Sequence, residues 1–286
     1  MTFSYTDRPQ IGIAYSAYAD RLLDDYPGAV DYLEIPFEHL EHAPELASIS
    51  ERRPIVLHCA SLSMAGTVPP TPKTMERVGY WIERTATPWV GEHLSFVTAD
   101  RPGDDSEAEE CFPGEPFNIG FSISPPQNEF ALACVSRSVE AFRKSFGVPL
   151  LLENPPLYFD IPGSTLTQSE FMGRVCSDCG VSLLLDLAHF YITCRTMELP
   201  FIAELAKLPL ERVREVHLSG IENDGDMHWD NHASRAPEAL FEALRFVLPR
   251  ARVQAITLEY NWSSVFPISQ TAGDLQRIRA IIAEVV

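Results

Sequence analysis

The chain has 286 residues, 45% of them hydrophobic, and a formal net charge of −18 from 40 acidic and 22 basic side chains. That apolar content is ample for a large core and excludes a disordered chain. The acidic balance argues against nucleic acid as a partner, since phosphate contacts need clustered Lys and Arg, and leaves room for a cationic ligand such as a metal ion.

Taken in chain order, the opening MTFSYTDRPQIGIAYS has no basic segment leading into an apolar stretch, so no signal peptide is read. No apolar run approaches the roughly 20 residues of a membrane helix, and a cytoplasmic protein without membrane contact is expected. Short β-rich apolar runs then alternate with amphipathic ones. Strands are predicted at IGIAYS (11–16), VDYLEIP (30–36) and PIVLHCA (54–60), a helix at 72–86, and a fourth strand at WVGEHLSFV (89–97). Residues 98–126 form an insertion much longer than a usual βα loop. Between Asp100 and Glu115 it holds seven acidic residues against Arg101 alone, with Cys111, Phe112, Phe117 and Phe121 interleaved or following. It reads either as a solvated insertion or as a lid whose aromatics cover a peptide and whose acids steer a basic segment.

A helix follows at 128–147, with Phe130, Ala133, Cys134, Arg137, Val139, Phe142 and Phe146 on one face and Gly147 as its stop. The fifth to eighth strands are VPLLLEN (148–154), VSLLLDL (181–187), VREVHLSG (213–220) and AITLEYN (255–261), with further helices at 235–248 and 268–284. Six cysteines at irregular spacing suggest no disulfide framework. Cys176 and Cys179 form a lone CxxC without the second pair a zinc knuckle needs, and read as two thiols near a helix end. Eight alternating βα units favour a (β/α)8 TIM barrel as one domain over 1–286. The rival, an open doubly wound sheet, would carry a glycine-rich turn after its first strand, and GIAYSAYAD has no GxGxxG.

The predicted strands end on polar residues: His58, His93, Glu153, Asp186, His217 and Glu259, from the third strand to the eighth. Loops beyond add His189, Asp230 and His232. Barrel enzymes place their sites at this end of the strands. Singly, each residue has a bland explanation as a hydrogen-bonded core group or a helix cap. Six in succession do not, because burying them together costs several kcal/mol per ion unless a cation compensates. Nine N and O donors exceed the needs of one ion, so two or three metals sharing a bridging carboxylate are expected, from Zn, Mn, Co or non-haem Fe. Strand alternation turns Cys59 and Glu92 away from the site. Glu34 and Glu38 could support the site from behind or meet the substrate, but read first as solvated acids at a helix start.

LHCASLSMAG, VGEHLSF, LLENPPLYF, LLLDLAHFYIT, EVHLSG, WDNHASRAP and TLEYNW resemble, in order, the signature segments of the multinuclear non-haem iron-dependent oxidative enzymes. The resemblance runs from about residue 10 to 262. It implies a xylose-isomerase-like barrel, two or three irons of mixed Fe(II)/Fe(III) valence, O2 as co-substrate, and a ribosomally made precursor peptide with a modifiable cysteine. It implies His58, His93 and Glu153 on one iron, with Glu153 bridging to a second held by Asp186, His217 and Glu259. A third would take Asp230, His232 and His189, the last standing where many members have Asn. Ile221 stands where many have His. Glu153, Asp186 and His217 are the expected catalytic residues. The nearest branch is the one that excises a peptidyl cysteine's β-carbon in thiaglutamate synthesis, and a partner protein that binds the peptide is expected. Two other readings remain: a divalent-metal sugar isomerase or phosphodiesterase on the same barrel, and a metal store. No strand end supplies the lysine such an isomerase wants, the charge disfavours a DNA phosphodiesterase, and a store does not explain donors at an open barrel mouth.

Overall fold

The computed structural model describes residues 1–99, 117–225, 227–260 and 267–286. Eight parallel strands close into a barrel: β1 (Gln10–Ala14), β2 (Tyr32–Pro36), β3 (Ile55–Cys59), β4 (Val90–His93), β7 (Leu150–Glu153), β8 (Ser182–Asp186), β9 (Val213–Ser219) and β12 (Ala255–Glu259). Two antiparallel hairpins stand beside it, β5 (Phe96–Ala99) with β6 (Phe117–Ile123), and β10 (Ile221–Asp224) with β11 (Met227–Asp230). This is a (β/α)8 TIM barrel.

Alternation explains why an apolar strand ends on a carboxylate. In β8, Leu183 and Leu185 face outward into the layer beneath the helices, while Leu184 and Asp186 face the barrel axis. Each fully buried leucine contributes about 1.5–3 kcal/mol, so the parity of the strand is fixed by its apolar members and the carboxylate is carried inward with them. Near the N-terminal end of the strands, Tyr32, Val56, Trp89, Leu151, Leu184 and Ala255 fill the axis, and Phe3 packs against Trp89 and Tyr32 at 5.0 and 5.5 Å. At the opposite end the register levels the polar residues: His93 lies opposite Glu153, and Asp186 opposite His217.

Helices cover the outside. Thr71 caps Pro72–Thr85, Asn128 caps Glu129–Ser145, and a Thr167–Glu170 capping box opens Gln168–Cys179. Several expectations need correction. The fourth strand stops at His93, and Phe96–Ala99 pairs separately with a strand inside the expected insertion. Phe130 is 66% exposed, because it stands beside the helix N-terminus and turns out of the apolar face. His189 and Asp230 are not on loops; they sit in the first turn of Leu187–Thr196 and at the end of β11. The acidic core of the insertion, with Cys111 and Phe112, lies outside the described residues. Among the described residues no helix is long and apolar enough to cross a membrane.

Candidate metal centre

Glu153, at the end of β7, is the hub. Its Oε2 accepts a hydrogen bond from His58 Nε2 at 2.8 Å and lies 3.4 Å from His93 Nε2, and its Oε1 lies 3.2 Å from His189 Nδ1 and 3.9 Å from His217 Nδ1. His58 reaches this point because residue 91 is glycine. A Cβ there would come within 2.9 Å of Leu184 Cδ1 and 3.0 Å of His58 Cδ2.

Asp186 divides its two oxygens. Oδ1 accepts the backbone N–H of His189 at 2.6 Å and caps the helix that carries that histidine, while Oδ2 is buried without a hydrogen-bond partner. Asn154 brackets the strand ends from below: its Oδ1 accepts from Asp186 N and its Nδ2 donates to Asp186 O, both at 2.9 Å.

The β10–β11 hairpin brings in the rest. Asp230 Oδ2 is 3.0 Å from His189 Nε2 and 2.8 Å from His232 Nε2, and its Oδ1 accepts from Ser219 Oγ at 2.8 Å. His232 adopts a left-handed backbone (φ 55°), which costs a non-glycine residue about 1 kcal/mol and folds its ring back over Asp230. The segment crosses β9 closely at Gly220, where a Cβ would lie 1.8 Å from the Ser234 carbonyl oxygen. Glu259 Oε2, from β12, lies 3.3 Å from His217 Nδ1 and 3.8 Å from His232 Nε2.

All nine donors named from the sequence therefore converge. Among these nine, four trios have their ligand atoms within 4.8 Å of one another, His58–His93–Glu153, Glu153–Asp186–His189, Asp186–His217–Glu259 and His189–Asp230–His232, and a fifth joins Glu34 to His58 and His217. Within the four, Glu153, Asp186 and His189 each belong to two. The electrostatics fit a cation. Burial opposes the Glu153 charge, yet the imidazoles of His93, His189 and His58 hold its pKa well below the carboxylate range. Burial likewise opposes the His58 imidazolium, but Glu153 holds its pKa up at about 10; with His232 burial is overcome by Glu259 and Asp230, to about 9. Burial raises Asp186 to about 7 and brings His93 down to about 4. Besides Asp186 Oδ2, the Nδ1 atoms of His93 and His217 are buried without a hydrogen-bond partner. Unsatisfied lone pairs beside four carboxylates are what two or more divalent ions would neutralise.

Glu92 and Cys59 point away from the site as expected. Glu92 instead accepts the Leu62 and His93 backbone N–H groups at 2.9 and 2.7 Å. Of the two readings of Glu34 the solvated one is overturned: it is 2% exposed and faces the axis beside His217. Glu38 does stand in a helix first turn, where it accepts from Ala60 N at 3.1 Å. Ser219, Asn154, Glu215 and Thr257 also went unnamed. The signal for Glu34, Glu215 and Thr257 was parity, since they share the inward phase of Tyr32, His217 and Glu259.

A family model described as the RiPP precursor modification enzyme MbnB/TglH/ChrH matches residues 10–283. Curated relatives include a UPF0276 protein of Rhizorhabdus wittichii, 25% identical over 276 residues that span 94% of this chain and 92% of the relative. Another, from Anaeromyxobacter sp., is 28% identical over 81% of this chain and 78% of its own. Among solved structures, a xylose isomerase domain containing protein from Salmonella typhimurium aligns with a TM-score of 0.62 at 13% identity, covering 98% of this chain and 99% of that one. Endonuclease IV from Thermus thermophilus aligns with 0.55 at 16% identity, covering 96% and 100%. These two likenesses show the xylose-isomerase-like fold alone.

Proposed function

Since the chain belongs to the MbnB/TglH/ChrH family of RiPP precursor modification enzymes, we propose that it oxidises a cysteine of a ribosomally made precursor peptide, using O2 at a cluster of two or three irons. The observation that carries this reading is the convergence of nine N and O donors at the barrel mouth, with buried lone pairs left unsatisfied. His58, His93 and Glu153 would hold one iron, Asp186, His217 and Glu259 a second that Glu153 bridges, and His189, Asp230 and His232 a third. When bound, the cluster supplies a position for the soft cysteine thiolate and the electrons that reduce O2. The chain's own residues hold that charge in place: Glu153 spans two positions, Asp186 is locked by its cap, and the mouth orients the peptide while limiting water. Excision of the cysteine β-carbon is the proposed outcome: the Cα–Cβ and Cβ–S bonds break, a Cα–S bond forms, and the CH2 unit leaves with both atoms of one O2 as formic acid.

Among the described residues, only two short hairpins stand beside the barrel and its helices. A second protein that holds the precursor and docks at the mouth is therefore part of the proposal. Co-expression of the chain with a cysteine-bearing precursor and its partner, read by peptide mass, tests this. A mass change lost in Glu153→Ala supports it. An unmodified peptide in the presence of iron-loaded protein and partner counts against it, and modification by zinc-loaded protein without O2 would favour hydrolytic or isomerase chemistry.

A further inference from the structure

Below the nine donors, towards the barrel floor, lies a second buried polar layer. It contains two carboxylates, Glu34 and Glu215, and four donors: Tyr32 Oη, Thr257 Oγ1, Trp89 Nε1 and His217 Nε2. Trp89 donates to Glu215 Oε2 at 2.7 Å, and Tyr32 Oη and Thr257 Oγ1 are 2.7 Å apart. Glu34 Oε2 accepts from Thr257 Oγ1 at 2.9 Å and pairs with His217 Nε2 at 3.0 Å, reaching across the axis from β2 to β9. His217 and Glu34 are both buried, at 0% and 2% exposure.

A neutral imidazole has one N–H donor and one lone pair. A carboxylate 3.0 Å from Nε2 requires the proton to be there, which leaves the lone pair on Nδ1. That atom is buried without a hydrogen-bond partner, 3.3 Å from Glu259 Oε2 and 3.9 Å from Glu153 Oε1. We propose that Glu34 is a positioning residue: it fixes the His217 tautomer and ring so that Nδ1 is presented to the metal beside Asp186 and Glu259. Thr257, which donates to the same Glu34 oxygen, holds the carboxylate in turn. The arrangement carboxylate–imidazole–metal makes the histidine a stronger ligand, and its loss typically costs about 10- to 100-fold in metal affinity. Glu34 also stands within 4.8 Å of ligand atoms of both His58 and His217, so a direct ligand role is the rival.

The inference rests on the proposed metal centre, and the test separates the two. Anaerobic ferrous titration of the full chain, with Mössbauer spectra of the loaded forms, compares wild type with Glu34→Ala and Glu34→Gln. Glu34→Ala should bind one iron about 10- to 100-fold more weakly and shift one ferrous component. Glu34→Gln, whose carbonyl oxygen accepts the same hydrogen bond, should recover the iron count and most of the affinity. If Glu34→Ala does not fold, Glu34→Asp, whose carboxylate stops short of Nε2, replaces it with the same expectation. Unchanged affinity and spectrum in the Ala or Asp variant would overturn the proposal. So would a Gln variant lacking one iron outright, which would make Glu34 a ligand. A wild-type chain that binds no iron would instead overturn the metal centre.

Discussion

Asp186 caps the helix that presents His189: its Oδ1 accepts the His189 backbone N–H at 2.6 Å, while its Oδ2 points, unpartnered, into the site. One side chain thus fixes a second donor and offers a lone pair of its own. Asp186→Asn keeps an oxygen for the cap but loses the charge, whereas Asp186→Ala loses both. Both should lower metal affinity, by at least about 100-fold, more than the loss of an outer partner. Metal-free Asp186→Ala should in addition be less stable than Asp186→Asn by about 1 kcal/mol, the worth of an N-cap. Chemical denaturation of the two metal-free variants, beside their iron titrations, checks both figures. Equal stability of the two would remove the cap from the account.

Gly91 leaves room for the His58 ring against Leu184. Gly91→Ala should cost about 1–3 kcal/mol through overpacking. It should also weaken the trio His58–His93–Glu153 more than the trio around Asp230, because only the former contains the displaced ring. Metal counting against thermal unfolding distinguishes this local effect from a general loss of fold.

Metal removal should destabilise the chain, and more so at higher pH. An ion present at 100 times its Kd adds about 2.7 kcal/mol, which for a chain of this size is about 4–5 °C of melting temperature. Burial works against the His58 and His232 imidazolium ions, but Glu153 in one case and Glu259 with Asp230 in the other hold their pKa values at about 10 and 9. Both are raised above the unfolded value, so their stabilisation of the metal-free protein is present below about 6.5 and fades as pH rises through those pKa values. Metal uptake releases the same protons and tightens with pH. The melting gap between loaded and chelated protein should therefore widen from pH 6 to 8. A constant gap would contradict these protonation states.

The five described cysteines are all free and buried. Burial pushes the Cys176 and Cys194 thiols up to about 12 and holds that of Cys59 well above the usual thiol range. Alkylation of the native protein near pH 7.5, mapped by mass spectrometry, should leave Cys59, Cys134, Cys176, Cys179 and Cys194 unmodified until the chain is unfolded. Rapid labelling of Cys176 and Cys179 would reopen the CxxC as a functional pair.

The barrel and six of the nine donors were legible for one reason. On β3, β4, β7, β8, β9 and β12 an inward residue near the strand end can be counted from the apolar phase, whereas His189, Asp230 and His232 were named only as polar residues following those ends. The same count reached Glu34 through Tyr32, but the adjoining helix start offered a plausible solvent-facing role, and only the closed barrel shows that β2 faces β9 across the axis. The hairpins Phe96–Ala99 with Phe117–Ile123 and Ile221–Asp224 with Met227–Asp230 were missed because strands this short carry too few alternations to stand out. Phe130 misled for a related reason: at a helix start one residue's phase is set by where the cap falls, and Asn128 turns it outward.

The acidic insertion has two readings from the sequence, a solvated segment or a lid over the peptide, and its deletion separates them. Deleting residues 102–113 should raise KM for the precursor, or abolish turnover, without changing metal content. Full-rate modification of a minimal cysteine peptide by the deleted enzyme alone would remove both the lid and the need for a partner protein.

A multinuclear, redox-active centre at the barrel mouth is read most directly by O2 uptake of the anaerobically iron-loaded protein on mixing with precursor peptide and partner. Two or three irons per chain are expected, with O2 consumed in step with the cysteine mass change, and neither uptake nor mass change with zinc or in Glu153→Ala. A protein that holds a single ion, or that modifies its peptide equally well with zinc and without O2, would contradict this reading.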